Sequence, residues 1–160
     1  MADHQMKLET KVGLLRDEYL LIQKQYEDFD SRIITIKGWS ATLGLASLGA
    51  GFQYGNKYLW LVGAGIGTIF WVLEAVWKTF QYCYADRIEV LEEAFRSNQF
   101  DAIDPLQIYT AWFEAFQKSG YFKAVGANMA LLLVFFPHIV SIIAGTALFL
   151  LNPYIPIPCK

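Results

Sequence analysis

Three stretches of the chain are almost free of charge: residues 33–52, 58–77 and 126–151. Each has about the length of the ~20 apolar residues that cross ~30 Å of hydrocarbon. The first carries one charge, Lys37, and the second one, Glu74; the third has no ionisable group besides His138. A chain patterned this way is neither disordered nor an ordinary water-soluble domain. Hydrophobic residues make up 55% of the 160 and charged residues only 18%, against roughly 25% charged in globular domains. A net charge of −2 leaves no basic surplus to neutralise phosphates, so a nucleic-acid partner is not expected. The sequence therefore predicts an all-α integral membrane protein of one domain, with the lipid bilayer as its main partner.

Lysine and arginine placement gives an orientation. Lys7, Lys11, Arg16, Lys24, Arg32 and Lys37 precede or open the first stretch, and Lys78, Arg87, Arg96, Lys118 and Lys123 lie between the second and third. Only Lys57 and Lys160 fall elsewhere. The positive-inside rule puts the N-terminus and the middle region in the cytoplasm, with the 53–57 turn and the 152–160 tail outside. Trp39, Tyr54, Tyr58, Trp60 and Trp77 stand near span ends, where an aromatic belt belongs. Pro137 falls near the middle of the third stretch and predicts a kinked span, with a re-entrant hairpin as the alternative.

Outside the spans the sharpest pattern is a heptad-like seam. Leu8, Val12, Leu15, Tyr19, Ile22, Tyr26, Phe29, Ile33 and Ile36 alternate in steps of four and three, with charged or polar residues such as Glu18 between them. This predicts a cytoplasmic stalk helix over 8–32 that runs into the first span. Trp77, Tyr84, Ile88, Leu91 and Phe95 continue the second span into a stalk helix over 78–98. A short turn near Gly55 makes the two helices an antiparallel hairpin. A turn symmetric about Gly55 pairs Leu15 with Phe95, Tyr19 with Leu91, Ile22 with Ile88 and Tyr26 with Tyr84. The same register sets Lys37 beside Glu74, although Glu74 can instead pair with Lys78 one turn on. Asp104 and Pro105 read as the cap and first residue of a helix over 105–119. Its Tyr109, Trp112, Phe113 and Phe116 form an aromatic face, suited to packing on the stalk, docking a soluble partner, or resting on lipid.

Small residues punctuate the spans: Ser40, Gly44, Ser47 and Gly51 in the first, Gly63 and Gly67 in the second. Such spacing lets helices approach closely in lipid, either within the hairpin or between protomers of a homo-oligomer. His4 lies in a polar tail, and His138 has no acidic residue in its own span, so a local hydrogen bond is expected of it rather than a proton relay. Cys83 and Cys159 match no metal or redox spacing. No nucleophile elbow or metal-ligand cluster is present in the sequence, so neither enzymatic activity nor a cofactor is expected.

The run Tyr26-Glu27-Asp28-Phe29-Asp30-Ser31-Arg32, followed by Ile36-Lys37-Gly38-Trp39-Ser40, resembles small bacterial membrane proteins. The hairpin layout over residues 8–98 is similar to the SLATT-type membrane effectors, which accompany nucleotide-signalling and antiphage systems. The third span departs from their two-span layout. The resemblance implies an oligomeric inner-membrane effector that permeabilises the membrane. The seam and aromatic face also fit a membrane anchor that recruits a soluble protein.

Overall fold

A computed structural model describes residues 2–151, with side chains from residue 6 onward. The 152–160 tail and the His4 side chain lie outside the described residues. The fold is all-α: α1 (Ala2–Tyr54), α2 (Lys57–Tyr82), α3 (Ala85–Ser97), α4 (Ile108–Ser119), α5 (Tyr121–Met129) and α6 (Leu132–Leu151). Two runs are long and apolar enough to cross a membrane, Lys57–Ser97 and Leu132–Leu151. The chain divides into two compact units, Met1–Ser31 with Lys78–Ala124, and Arg32–Trp77 with Val125–Lys160. Helices α1, α2 and α5 contribute residues to both.

The first unit has an ordinary apolar core of Leu15, Ile22, Leu91, Ala94 and Phe100, flanked by Val12, Tyr19, Tyr84, Ile88, Ile103 and Ile108. The buried line on α1 is Leu15, Glu18 and Ile22, so Tyr19 flanks it rather than forming it. On α3 the buried residues are Arg87, Leu91 and Ala94. Leu91 of the expected seam is fully buried and Ile88 packs against the core, while Phe95 remains 38% exposed, its ring 5.2 Å from Phe100. The added burial of Arg87 and Ala94 has a local cause. At Cys83–Tyr84 the Tyr84 amide bonds to the Gln81 carbonyl three residues back, a tightened turn that changes the rotational phase of all that follows. This turn also interrupts the continuous helix expected over 58–98. Beside Tyr26 and Tyr84, Gln81 donates to the Tyr26 carbonyl at 2.9 Å and Tyr84 meets Phe29 at 6.0 Å.

The second unit is built from α1, α2 and α6. Ser40 and Gly44 on α1 meet His138 and Ser141 on α6 in ascending order, so these helices run parallel. Gly67 of α2 faces His138 and Ile142, while Trp60 and Ala64 face Gly145, so α2 runs antiparallel to α6. The turn between α1 and α2 depends on Gly55 at φ 62°, a conformation only glycine takes without strain. Asn56 then caps α2, its Oδ1 accepting from the Tyr58 amide at 3.0 Å. The third apolar stretch is not one helix over 126–151: α5 ends at Met129 and α6 starts at Leu132. The interruption precedes Pro137, which lies within α6. A proline removes one backbone donor but need not end a helix, and the helix continues through Pro137.

In this unit Ser40, Glu74, Asn128, His138 and Ser141 are buried among apolar residues such as Trp60, Ala75 and Val134, and many large apolar side chains face outward: Ile34, Leu45, Ile69, Leu133 and Ile143 are all more than 60% exposed. In water such exposure forfeits about 25 cal/mol per Å².

Candidate functional site

Four polar side chains of the second unit form one chain. Lys37 Nζ lies 3.2 Å from Glu74 Oε1. His138 Nε2 lies 2.9 Å from Glu74 Oε2, and its Nδ1 lies 2.7 Å from Ser40 Oγ. Glu74 and Ser40 are 1% exposed and His138 is fully buried, while the Lys37 side chain keeps 29% exposure. The chain therefore has one end near the surface and the other deep among the helices. With Glu74 ionised its oxygens only accept, so Nε2 donates to it. In a neutral imidazole, Nδ1 then accepts from the Ser40 hydroxyl.

Sequence and packing together explain the placement. Lys37 and Ser40 are three residues apart and so share a face of α1. Both are held near α6 because Gly44, one turn on, leaves room for Ser141: a Cβ at 44 would stand 3.0 Å from Ser141 Oγ. Gly67 does the same from α2, where a Cβ would meet the His138 carbonyl at 3.1 Å. Ser47 donates to the Leu59 carbonyl at 2.6 Å. The Trp60 indole fills the space beside Gly51 and donates to the Leu48 carbonyl at 3.2 Å. Gly63 packs on Leu48 and the Gly44 carbonyl. The small-residue stripe Ser40, Gly44, Ser47, Gly51, Gly63 and Gly67 is thus filled within the chain. Gly145, which the sequence did not single out, completes it by receiving the backbone of Ala64.

The arrangement of Ser40, His138 and Glu74 has the members of a nucleophile, base and acid triad but not its surroundings. Ser40 sits inside α1, where the neighbouring amides are committed to helical bonds, so no backbone donors are free to stabilise an oxyanion. What the chain of groups can do is hold and pass protons. A histidine expected to make only a local bond instead bridges α1 and α2. Its acidic partner comes from another span, which a search confined to its own segment misses.

A second buried charge cluster lies in the first unit. Arg87 Nε and Nη2 donate to the two oxygens of Glu18 at 2.9 and 3.1 Å. The Leu106 amide also donates to Glu18, at 2.7 Å, and the Asp104 carbonyl accepts from Arg87 at 2.8 Å. Asp104 and Leu106 thus close over the ion pair. This is why α4 starts at Ile108 and not at the cap and proline read from the sequence: that turn is used elsewhere, with Leu106 at φ 64°. Of the aromatic face on α4, Trp112 and Phe116 stack at 5.3 Å and pack on Phe80, whereas Tyr109 is 74% and Phe113 39% exposed.

Outside residues 33–52, 58–77 and 126–151, burial pushes the Cys83 thiol above its ordinary range, with Asp86 adding to the effect. Burial also raises the Tyr26 and Tyr84 phenols. The Tyr19 phenol is raised by the hydrogen bond it donates to Glu92. Among the described residues no group of His, Cys, Asp and Glu side chains is arranged to hold a metal ion. The chain matches no protein-family model, no curated protein and no solved structure.

Proposed function

We propose that the chain is an integral protein of a bacterial inner membrane that acts as an oligomeric, channel-like effector and dissipates the membrane potential. One observation carries this reading: an ionisable chain from Lys37 through Glu74 and His138 to Ser40 is enclosed by helices whose outer surface is apolar. Ionisable groups inside a membrane bundle are costly to keep and mark ion pathways or proton relays. The parallel, antiparallel, parallel order of α1, α2 and α6 suits three spans, with residues 33–52 as the first and the two termini on opposite sides. Arg32 over Trp77 at one end and Lys57 over Phe149 at the other suit the two interfaces.

The stripe of small residues is occupied within the chain, so assembly uses other surfaces. Gly38, Gly49 and Gly65 have open space beside them. Expression in bacteria loaded with a potential-sensitive dye tests the reading. The dye signal is expected to collapse with the wild-type chain and to persist with Glu74→Gln. An unchanged potential under strong, membrane-localised expression would refute it. Gly44→Leu is a poor substitute, because Ser141 leaves no room for the side chain and the bundle itself would fail.

The exposed Tyr109–Phe113 stack, centroids 5.9 Å apart, favours a second reading as an anchor for a soluble protein. In that case a partner co-purifies with the wild-type chain and is lost with Tyr109→Ser and Phe113→Ser together.

A further inference from the structure

We propose that the ion moved is the proton and that His138 is the shuttle; this rests on the permeabilising reading above and deepens it. Every link from Ser40 Oγ to His138 Nδ1, from Nε2 to Glu74 Oε2, and from Oε1 to Lys37 Nζ is between 2.7 and 3.2 Å. Imidazole and carboxylate share the property such a path requires: each takes a proton at one atom and releases one at another. A metal cation would need several oxygen ligands around one point. Here the groups follow one another in a chain and offer no such point.

The charged and titratable groups facing the shuttle are Lys37 from α1 and Glu74 from α2; α6 adds only the hydroxyl of Ser141 beside it. The transfer balances as follows. Ser40 takes a proton from water on the far side and gives its own to His138 Nδ1. The Nε2–H bond breaks as the Glu74 Oε2–H bond forms, leaving a neutral imidazole of the other tautomer. Glu74 then loses that proton to water at the partly exposed Lys37 end. Before the next cycle the ring turns about its Cα–Cβ and Cβ–Cγ bonds, with no N–H bond broken, so that the protonated nitrogen faces Glu74 and the bare one faces Ser40. One proton enters and one leaves, in the direction that discharges a membrane potential negative inside.

Ser141 and Ser47 extend hydroxyls beyond Ser40 on the same packed faces, and the wholly buried Trp60 seals that end beside Gly51. Conduction therefore requires Trp60 to move, and Trp60→Ala is expected to conduct faster than the wild-type chain.

The full chain, reconstituted in phospholipid vesicles under a pH gradient, tests this with an internal pH-sensitive dye and a second, entrapped anionic dye of larger size. Proton flux with retention of the large dye is expected for wild type and more so for Trp60→Ala. His138→Gln is expected to lower the flux about a hundredfold in either background, the usual loss for a positioned proton-transfer group. Lys37→Met with Glu74→Gln removes both charges together, keeps the bundle neutral, and is expected to lower it as far. If protons and the large dye both escape and His138→Gln changes neither, the permeabilising reading stands and the proton path is wrong. If neither crosses, even with Trp60→Ala, both are wrong.

Discussion

The two units of this chain bury similar mixtures and differ in what they show outside. The first buries Leu15, Ile22 and Leu91 with the Glu18–Arg87 pair, and keeps most of its charge outside. The second buries Trp60, Ala75 and Val134 with Ser40, Glu74 and His138, and presents Ile34, Leu45 and Ile69 outward. The same chemistry, a buried carboxylate with a cation, therefore has two meanings. In water a buried pair must compete with hydration of both ions, so it survives only where geometry is good and every lone pair is used. Glu18 meets that condition with Arg87 and the Leu106 amide. On the proposed membrane reading, the outer surface of the second unit meets lipid and polar groups can only go inward. Glu74 is buried, and its partners come from α1 and α6.

The largest expected effect breaks the pair in the first unit. Arg87→Met leaves Glu18 buried and uncompensated, which is expected to cost about 3–5 kcal/mol. Denaturant unfolding measures it, and adding Glu18→Leu is expected to recover most of the loss. Next is close approach in the second unit. Gly67→Val must displace α6 at His138 and Ile142 and is expected to cost about 1–3 kcal/mol, read as a lower temperature of aggregation in detergent. Lys37→Met sharpens the comparison between the two pairs. Glu74 keeps His138 as a partner and Lys37 is partly exposed, so the loss should be smaller than for Arg87→Met. An equal loss would show that His138 gives Glu74 no compensation.

Two smaller effects concern the first unit. Cys83 is 4% exposed and its thiol is held above the ordinary range, so little thiolate forms near neutral pH. Alkylation is expected to be slow in the folded chain and to become fast on unfolding. Tyr19→Phe removes an exposed hydrogen bond to Glu92 and should cost only ~0.5 kcal/mol. Because the folded phenol is raised, its contribution is full below the unfolded value of about 10 and is lost as pH rises through the folded value. The difference between wild type and Tyr19→Phe should therefore vanish at strongly alkaline pH.

Much of this organisation is legible in the residues, and the gaps have physical causes. Two long apolar helices follow from hydropathy alone, and hairpin symmetry about Gly55 was enough to set Lys37 beside Glu74. The burial of Glu18 is not announced by its charge, yet its spacing from Leu15 and Ile22, three and four residues, is that of a buried position. The burial of Arg87 and Ala94 beside Leu91 is not readable, because one tightened turn at Cys83–Tyr84 turns the face of α3, and no residue there announces it. Asp104 and Pro105 carry a sound helix-start signal that loses to the needs of the Glu18–Arg87 pair. The His138 partnership was hidden by looking for its acid in the same segment. A lone acid and a lone histidine in separate uncharged stretches are themselves the signal, since each must find a partner within the bundle.

The contrast between the units is tested most directly by single spin labels in vesicle-reconstituted protein. Labels replacing Ile69 and Ile143 should collide freely with oxygen and be shielded from a water-soluble relaxation agent. Labels replacing Leu20 and Val90, exposed on the first unit, should show the reverse. Equal access of the water-soluble agent to all four positions would contradict the account.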